Sequence, residues 1–162
     1  MIEIHPSARV SGLADIEDSV RGTRIEISAN VVIDSFVKIK PVGGSGDLFI
    51  GSGSVINAGC VLYTGNGIRI GRDVAVAANC TFAPVNHAYS RKDVPIAMQG
   101  FRPSKGGIEI GDDVWIGANC VILDGARIGQ GCVIAAGSMV RGVLEPYAIY
   151  GGNPLVRLGE RK

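Results

Sequence analysis

Few side chains in this chain are equipped for chemistry. Only two histidines, His5 and His87, and four cysteines, Cys60, Cys80, Cys120 and Cys132, are present. An imidazole titrates close to neutrality and so can take up and return a proton under physiological conditions. A thiol becomes a nucleophile or metal ligand only as a thiolate in an exposed, electropositive setting, and no Cys-x-x-Cys spacing occurs. His5 lies in Ile-His-Pro-Ser-Ala, where the proline fixes a turn, and is assigned no role. His87 lies near the start of the longest break in an otherwise regular pattern, and long excursions from a regular scaffold are more often functional than accidental.

That pattern has a period of six. Ile110, Ile116, Ile122, Ile128, Ile134 and Val140 follow one another at six-residue steps, most with a small residue four places on. One apolar anchor per hexad suits a short strand and turn stacked into a triangular parallel β-helix, three hexads to a coil. The register continues upstream as Ile4, Val10, Ile16; Ile27, Ile33, Ile39; Ile50, Ile56, Leu62; and Ile70, Val76, Phe82. The expected architecture is all-β, a parallel β-helix of about six coils spanning 1–143 with an extended loop over 83–107, followed by a short C-terminal extension over 144–162. Every interruption falls between a third face and the next first face, so all the extra loops should leave from one corner.

Composition agrees with this scaffold. An apolar fraction of 46% with few aromatics and 24 glycines fits tight turns around a narrow core, with little helix. The net charge of +1 is dispersed, which favours neither nucleic acid nor a basic membrane patch. No stretch reaches membrane-spanning length and the N-terminus lacks a signal-peptide pattern, so a cytoplasmic protein is expected. The register also places the cysteines. Each lies four residues after an anchor (Ile56, Val76, Ile116 and Ile128), a position that accepts Ala14, Val37 and Ser138 in other coils, and should act as a small buried hydrophobe.

The segments Pro-Val-Asn-His-Ala-Tyr-Ser (84–90), Val-Pro-Ile-Ala-Met-Gln-Gly (94–100), Ile-Gly-Asp-Asp-Val-Trp-Ile-Gly-Ala (110–118) and Gly-Gly-Asn-Pro (151–154) resemble the hexapeptide acyltransferases. The likeness is strongest to the O-acetyltransferases of bacterial surface polysaccharides, with galactoside and maltose acetyltransferases as close relatives. It implies a left-handed β-helix, a homotrimer with sites between neighbouring helices, and acetyl-CoA as donor with no metal. His87 matches the family's catalytic histidine and Trp115 the tryptophan lining the cleft, while Ala118 and Ala136 match positions whose backbone meets the pantetheine arm. Where relatives often carry Thr-Lys-Asp after the last anchor, this chain reads Arg141-Gly142-Val143, and its C-terminal cation is displaced to Arg157. Arg141 and Arg157 are therefore the expected phosphate contacts.

A sugar hydroxyl attacks a thioester only as a base removes its proton, which the resemblance assigns to His87. With the cysteines turned inward no acyl-enzyme is expected, and transfer should be direct in a ternary complex. The shared corner makes Asp47, Asn66 and Asn86 candidate contacts for a sugar acceptor, although Asp47 and Asn66 are also ordinary turn residues. The loop cations Arg91, Lys92, Arg102 and Lys105 are either solvated charges or partners of a phosphate-linked sugar. The alternatives are an N-acetyltransferase of a nucleotide-linked amino sugar and a non-catalytic trimeric scaffold. Two histidines so far apart in the stack argue against a zinc-dependent anhydrase on the same scaffold, which needs three histidine ligands per site.

Overall fold

A computed structural model describes residues 1–162. The hexad register holds throughout. On the first face, Ile4, Ile27, Ile50, Ile70, Ile110 and Ile128 are paired in sequence from coil to coil. On the second face the column is Val10, Ile33, Ile56, Val76, Ile116 and Ile134. On the third it is Ile16, Ile39, Leu62, Phe82, Ile122 and Val140. All these pairings are parallel, giving three sheets wound as a left-handed β-helix. The strands of these columns are two or three residues long and alternate inward and outward: Ile25 and Ile27 are buried on either side of Glu26 on the first face, and Ile39 is buried between Lys38 and Lys40 on the third.

A turn must bend the chain at each corner without losing the stack. At the corner between second and third faces this is done by Asn79 and Asn119, both at φ 59°, a left-handed conformation that Asn adopts more readily than most residues. Phe36 takes the same conformation at φ 62° with its ring 68% exposed, an unusual choice for a bulky side chain. The core is one cluster running the length of the helix. Only the first coil is loosely covered, with Ile4 still 42% exposed because no coil lies beneath it.

All four cysteines are buried, as their register requires. Their thiols also satisfy carbonyls of the next coil. Cys60 Sγ donates to Ala77 O (3.1 Å), Cys80 to Gly117 O (3.2 Å), Cys120 to Ala135 O (3.2 Å) and Cys132 to Glu145 O (2.9 Å). Burial pushes the Cys132 thiol up from its ordinary value; at Cys120 the neighbouring Cys80 thiol, and after it burial, do the same.

The interruptions all leave from the corner between third and first faces. They join Asp15–Ile16 to Ile25–Ile27, Lys38–Lys40 to Leu48–Ile50, Val61–Tyr63 to Ile68–Ile70, and Thr81–Ala83 to Ile108–Ile110. The last is an arm containing the only helical turn, the 3-10 segment Ile96–Met98. Parallel stacking runs past Val143: Val143–Leu144 adds to the first face and Ala148–Gly151 to the second. Val156–Glu160 then folds back antiparallel on Ala148–Gly151, covering what would be an open sheet edge. No helix is long and apolar enough to cross a membrane.

Candidate active site

The arm holds His87 by backbone pairing. Ala88 N donates to Gly100 O (3.0 Å) and Arg102 N to Asn86 O (2.8 Å), which sets His87 opposite Phe101 in an antiparallel bridge. The two rings meet at 4.8 Å between centroids, tilted by 47°. The tip is tied by Gln99, whose Nε2 donates to Arg91 O (2.8 Å) and Val94 O (2.7 Å) while its Oε1 accepts from Arg91 N (3.2 Å). His87 and Asn86 are exposed. Arg102 lies over the Tyr89 ring at 4.2 Å and Arg91 pairs with Asp93 at 2.6 Å, so two of the four arm cations are engaged locally.

Where the arm rejoins the helix, two side chains that sequence reasoning did not single out take hold of it. Asp124, only 5% exposed, accepts from Gly107 N through Oδ1 (2.9 Å), and through Oδ2 from Lys105 N (2.8 Å) and Asn66 Nδ2 (3.2 Å). Arg127 donates to Gly107 O (2.8 Å) and Gly106 O (3.1 Å). The available signal was register: Asp124 lies two residues after anchor Ile122, where the coils below carry Thr64 and Pro84, and a carboxylate at an inward position is anomalous.

The remaining candidates are dispersed. Trp115 stands 56% exposed on the second face between Ala75 and Val133. Ala118 and Ala136 stack at the corner of second and third faces, where Gly137 N donates to Ala118 O (2.8 Å). Backbones press closely there, since a Cβ on Gly117 would come within 2.5 Å of Ala136 N. Arg141 is exposed after the last third-face strand. Arg157 is paired with Glu160 (3.2 Å) and more loosely with Glu145 (3.9 Å). Asp47 accepts from Arg24 N (2.8 Å), and Asn66 spends its amide on Asp124, so both side chains hold turns of the shared corner. A second unanticipated cation, Arg161, pairs with Asp113 (2.8 Å) beside a hollow of about 290 Å³ that Trp115 and Val133 also line.

Within one chain these residues form two groups. Asn86, His87 and, through Asp124, Asn66 belong to the third–first corner; Trp115 lies on the second face, which is the side of the triangle opposite that corner. The largest hollow, about 710 Å³, is an open trough on the first face lined by Phe49, Arg69, Arg127 and Pro146 among others, and contains none of the candidates. No three His, Cys, Asp or Glu side chains are gathered as metal ligands.

Known proteins resemble the chain along its whole length. Residues 107–142 match the family model described as bacterial transferase hexapeptide (six repeats). "Probable acetyltransferase Rv3034c" of Mycobacterium tuberculosis is 35% identical over 109 residues, 67% of this chain and 36% of that protein. "Putative lipopolysaccharide biosynthesis O-acetyl transferase WbbJ" of Escherichia coli K12 is 28% identical over 116 residues, 68% of this chain and 59% of that protein. The chain thus spans less than two thirds of the length of either curated relative. Among solved structures, a mutant of AntD, an N-acyltransferase from Bacillus cereus in complex with dTDP-4-amino-4,6-dideoxyglucose and coenzyme A, superimposes with a TM-score of 0.82. It is 27% identical, and the match covers 99% of this chain and 84% of that one. Repeat, coil and relatives agree, and the chain belongs to the hexapeptide-repeat transferase family.

Proposed function

We propose that this protein is an acetyl-CoA-dependent acetyltransferase that acetylates a sugar hydroxyl in surface polysaccharide biosynthesis, working as a homotrimer. The observation that carries the reading is His87: an exposed imidazole on a backbone-paired arm, backed by a ring, with no side-chain hydrogen bond to occupy its nitrogens. Such a group is free to meet a substrate hydroxyl. His87 takes the hydroxyl proton as the sugar oxygen bonds to the thioester carbonyl carbon, and returns that proton to sulfur as the carbon–sulfur bond breaks. A backbone N–H at a coil edge supplies the donor for the charge that develops on the carbonyl oxygen. The buried thiols support direct transfer, since none is presented to accept an acetyl group.

In this reading the narrow arm of the donor lies along the outside of the corner at half-buried Ala118 and exposed Ala136, whose side chains are small, with Ala118 on the coil that carries the exposed Trp115. Arg141 is a free cation for its phosphates, and Arg157 serves once released from Glu160 and Glu145. Asn86 is the acceptor contact nearest the base; Asp47 and Asn66 shape the same corner. Because Trp115 lies opposite the corner that carries His87, one chain does not complete the site. A threefold assembly that sets the arm of one copy against the second face of the next does. With acetyl-CoA as donor, the reaction belongs in the cytoplasm.

AntD, matched over nearly the full chain, favours a second reading in which the acceptor is the amine of a nucleotide-linked sugar. Calorimetric titration with acetyl-CoA tests the donor site first. Saturable binding at one site per chain supports a transferase, and its absence leaves a scaffold. Assays offering a sugar hydroxyl or a dTDP-linked amino sugar, each with His87→Ala, then separate the two acceptors. The O-acetyl reading requires that His87→Ala keep acetyl-CoA binding and lose most turnover on the hydroxyl.

A further inference from the structure

We propose that Asp124, aided by Arg127, is a positioning residue that sets His87 by clamping the root of its arm; the inference rests on the reading of His87 as the base. The excursion must re-enter the helix through Lys105, Gly106 and Gly107 before Ile108 joins the first face. Asp124 takes the N–H groups of Lys105 and Gly107, and Arg127 takes the carbonyls of Gly106 and Gly107. The segment is therefore gripped through donors and acceptors at once. Its glycines permit the grip: both have positive φ (96° and 78°). A Cβ on Gly107 would come within 2.4 Å of Gly67 O, and one on Gly106 within 2.4 Å of Arg127 Nη2.

The helix itself does not need this carboxylate. Lower coils turn the same corner with Thr64 and Pro84 at the equivalent inward position, and neither brings a charge into the interior. Burying a carboxylate is costly unless its oxygens are hydrogen-bonded, so a charge is expected there only where its bonds do something a neutral side chain cannot. What distinguishes this coil is the arm it receives. The grip is transmitted over a short path: from Lys105 the chain runs back three residues to Arg102, whose N–H is bonded to Asn86 O, and Phe101 then faces His87. Small displacements of a positioned catalytic group cost large factors in rate.

The test combines amide exchange of the arm, measured on the full chain without substrate, with turnover and acetyl-CoA affinity. Asp124→Asn puts an NH2 against a backbone N–H. The amides of Ala88 and Arg102 should then exchange roughly ten- to a hundredfold faster, while Thr81–Ala83 and Val121–Leu123 keep their protection. Turnover should fall by about tenfold or more with acetyl-CoA affinity held within about twofold, a split that general destabilisation does not give. Asn66→Ala removes the 3.2 Å bond and, because Asn66 also shapes the acceptor corner, is judged on exchange measured without substrate: the arm amides should exchange faster, by less than in Asp124→Asn, which keeps the test open if Asp124→Asn does not fold. Unchanged arm exchange in the folded variant, or faster exchange with unchanged turnover, overturns the proposal. Failure of the wild type to bind acetyl-CoA overturns the functional reading instead, and leaves the exchange result to stand by itself.

Discussion

His87 and Phe101 face each other across the arm as a bridged pair, their ring centroids 4.8 Å apart. The two segments of the arm are held together by their own backbone bonds, by this contact between rings, by Arg102 lying over Tyr89 and by the Gln99 ties at the tip. An imidazole held against a tilted ring on a backbone-paired arm, and otherwise exposed, is restricted in orientation yet open to a substrate, which is what a base needs if it is to meet a hydroxyl repeatedly in one geometry.

Replacing Phe101 by Ala should therefore reduce turnover by about tenfold, commensurate with the loss of an aromatic pair, while acetyl-CoA still binds. Phe101→Tyr should restore most of the rate, because the ring and its tilt are kept. Steady-state kinetics beside calorimetric donor binding checks this; a rate for Phe101→Ala equal to wild type would show that the ring does not position His87.

Phe36 occupies a left-handed position that Asn79 and Asn119 occupy at the same corner of other coils, and Asn30 at the corner between first and second faces, with its side chain largely in solvent. Phe36→Asn should raise stability by about 1 kcal/mol, the scale of left-handed strain in a residue with a bulky Cβ substituent. A higher denaturant midpoint at unchanged slope is the expected result. A lower midpoint would mean that the ring is packed against a neighbouring copy.

Cys120 tests the column of inward thiols. Cys120→Ala removes one bond to Ala135 O and a little volume, and should cost about 1–2 kcal/mol with the fold retained. Cys120→Asp places an unpaired charge in the core at several kcal/mol, close to the whole stability of a domain of roughly 5–15 kcal/mol, and should not fold. Circular dichroism and size-exclusion profiles of the two variants check the contrast; a folded, ordered Asp variant would contradict an inward Cys120.

The helix was legible in the sequence because one force writes it. Every anchor from Ile4 to Val140 is an apolar residue that must face the same axis, and the corner of each interruption follows from counting hexads. The arm obeys no such rule. Pairing of Asn86–Ala88 with Gly100–Arg102 depends on backbone bonds between polar stretches, and polar backbone leaves no periodic trace. Asp124 was hidden for another reason: at the sequence level a carboxylate beside glycine reads as a turn residue, and only stacking shows it turned inward beneath the arm. Asp47 and Asn66 show the same ambiguity resolved toward the turn, since their side-chain bonds go to Arg24 N and Asp124. The opposition of Trp115 and His87 follows from the triangle alone and was therefore implicit in the register.

Alkaline pH should expose the burial of Cys132. Its thiol is held above the ordinary value by burial, so the folded chain keeps that proton when the unfolded chain has begun to lose it. Below the unfolded thiol value, about 8.5, both states are protonated and Cys132 contributes no pH dependence. Above it the unfolded state is favoured by deprotonation, and stability falls as pH rises toward the folded value. Cys60, which the neighbouring Cys80 thiol lowers, works in the opposite direction, so the comparison has to be made residue by residue. Cys132→Ala should lose stability at neutral pH yet decline less steeply between about pH 8.5 and 10 than the wild type. Denaturant midpoints across that range decide it: equal slopes for the two proteins would mean that Cys132 is not shielded in the folded state.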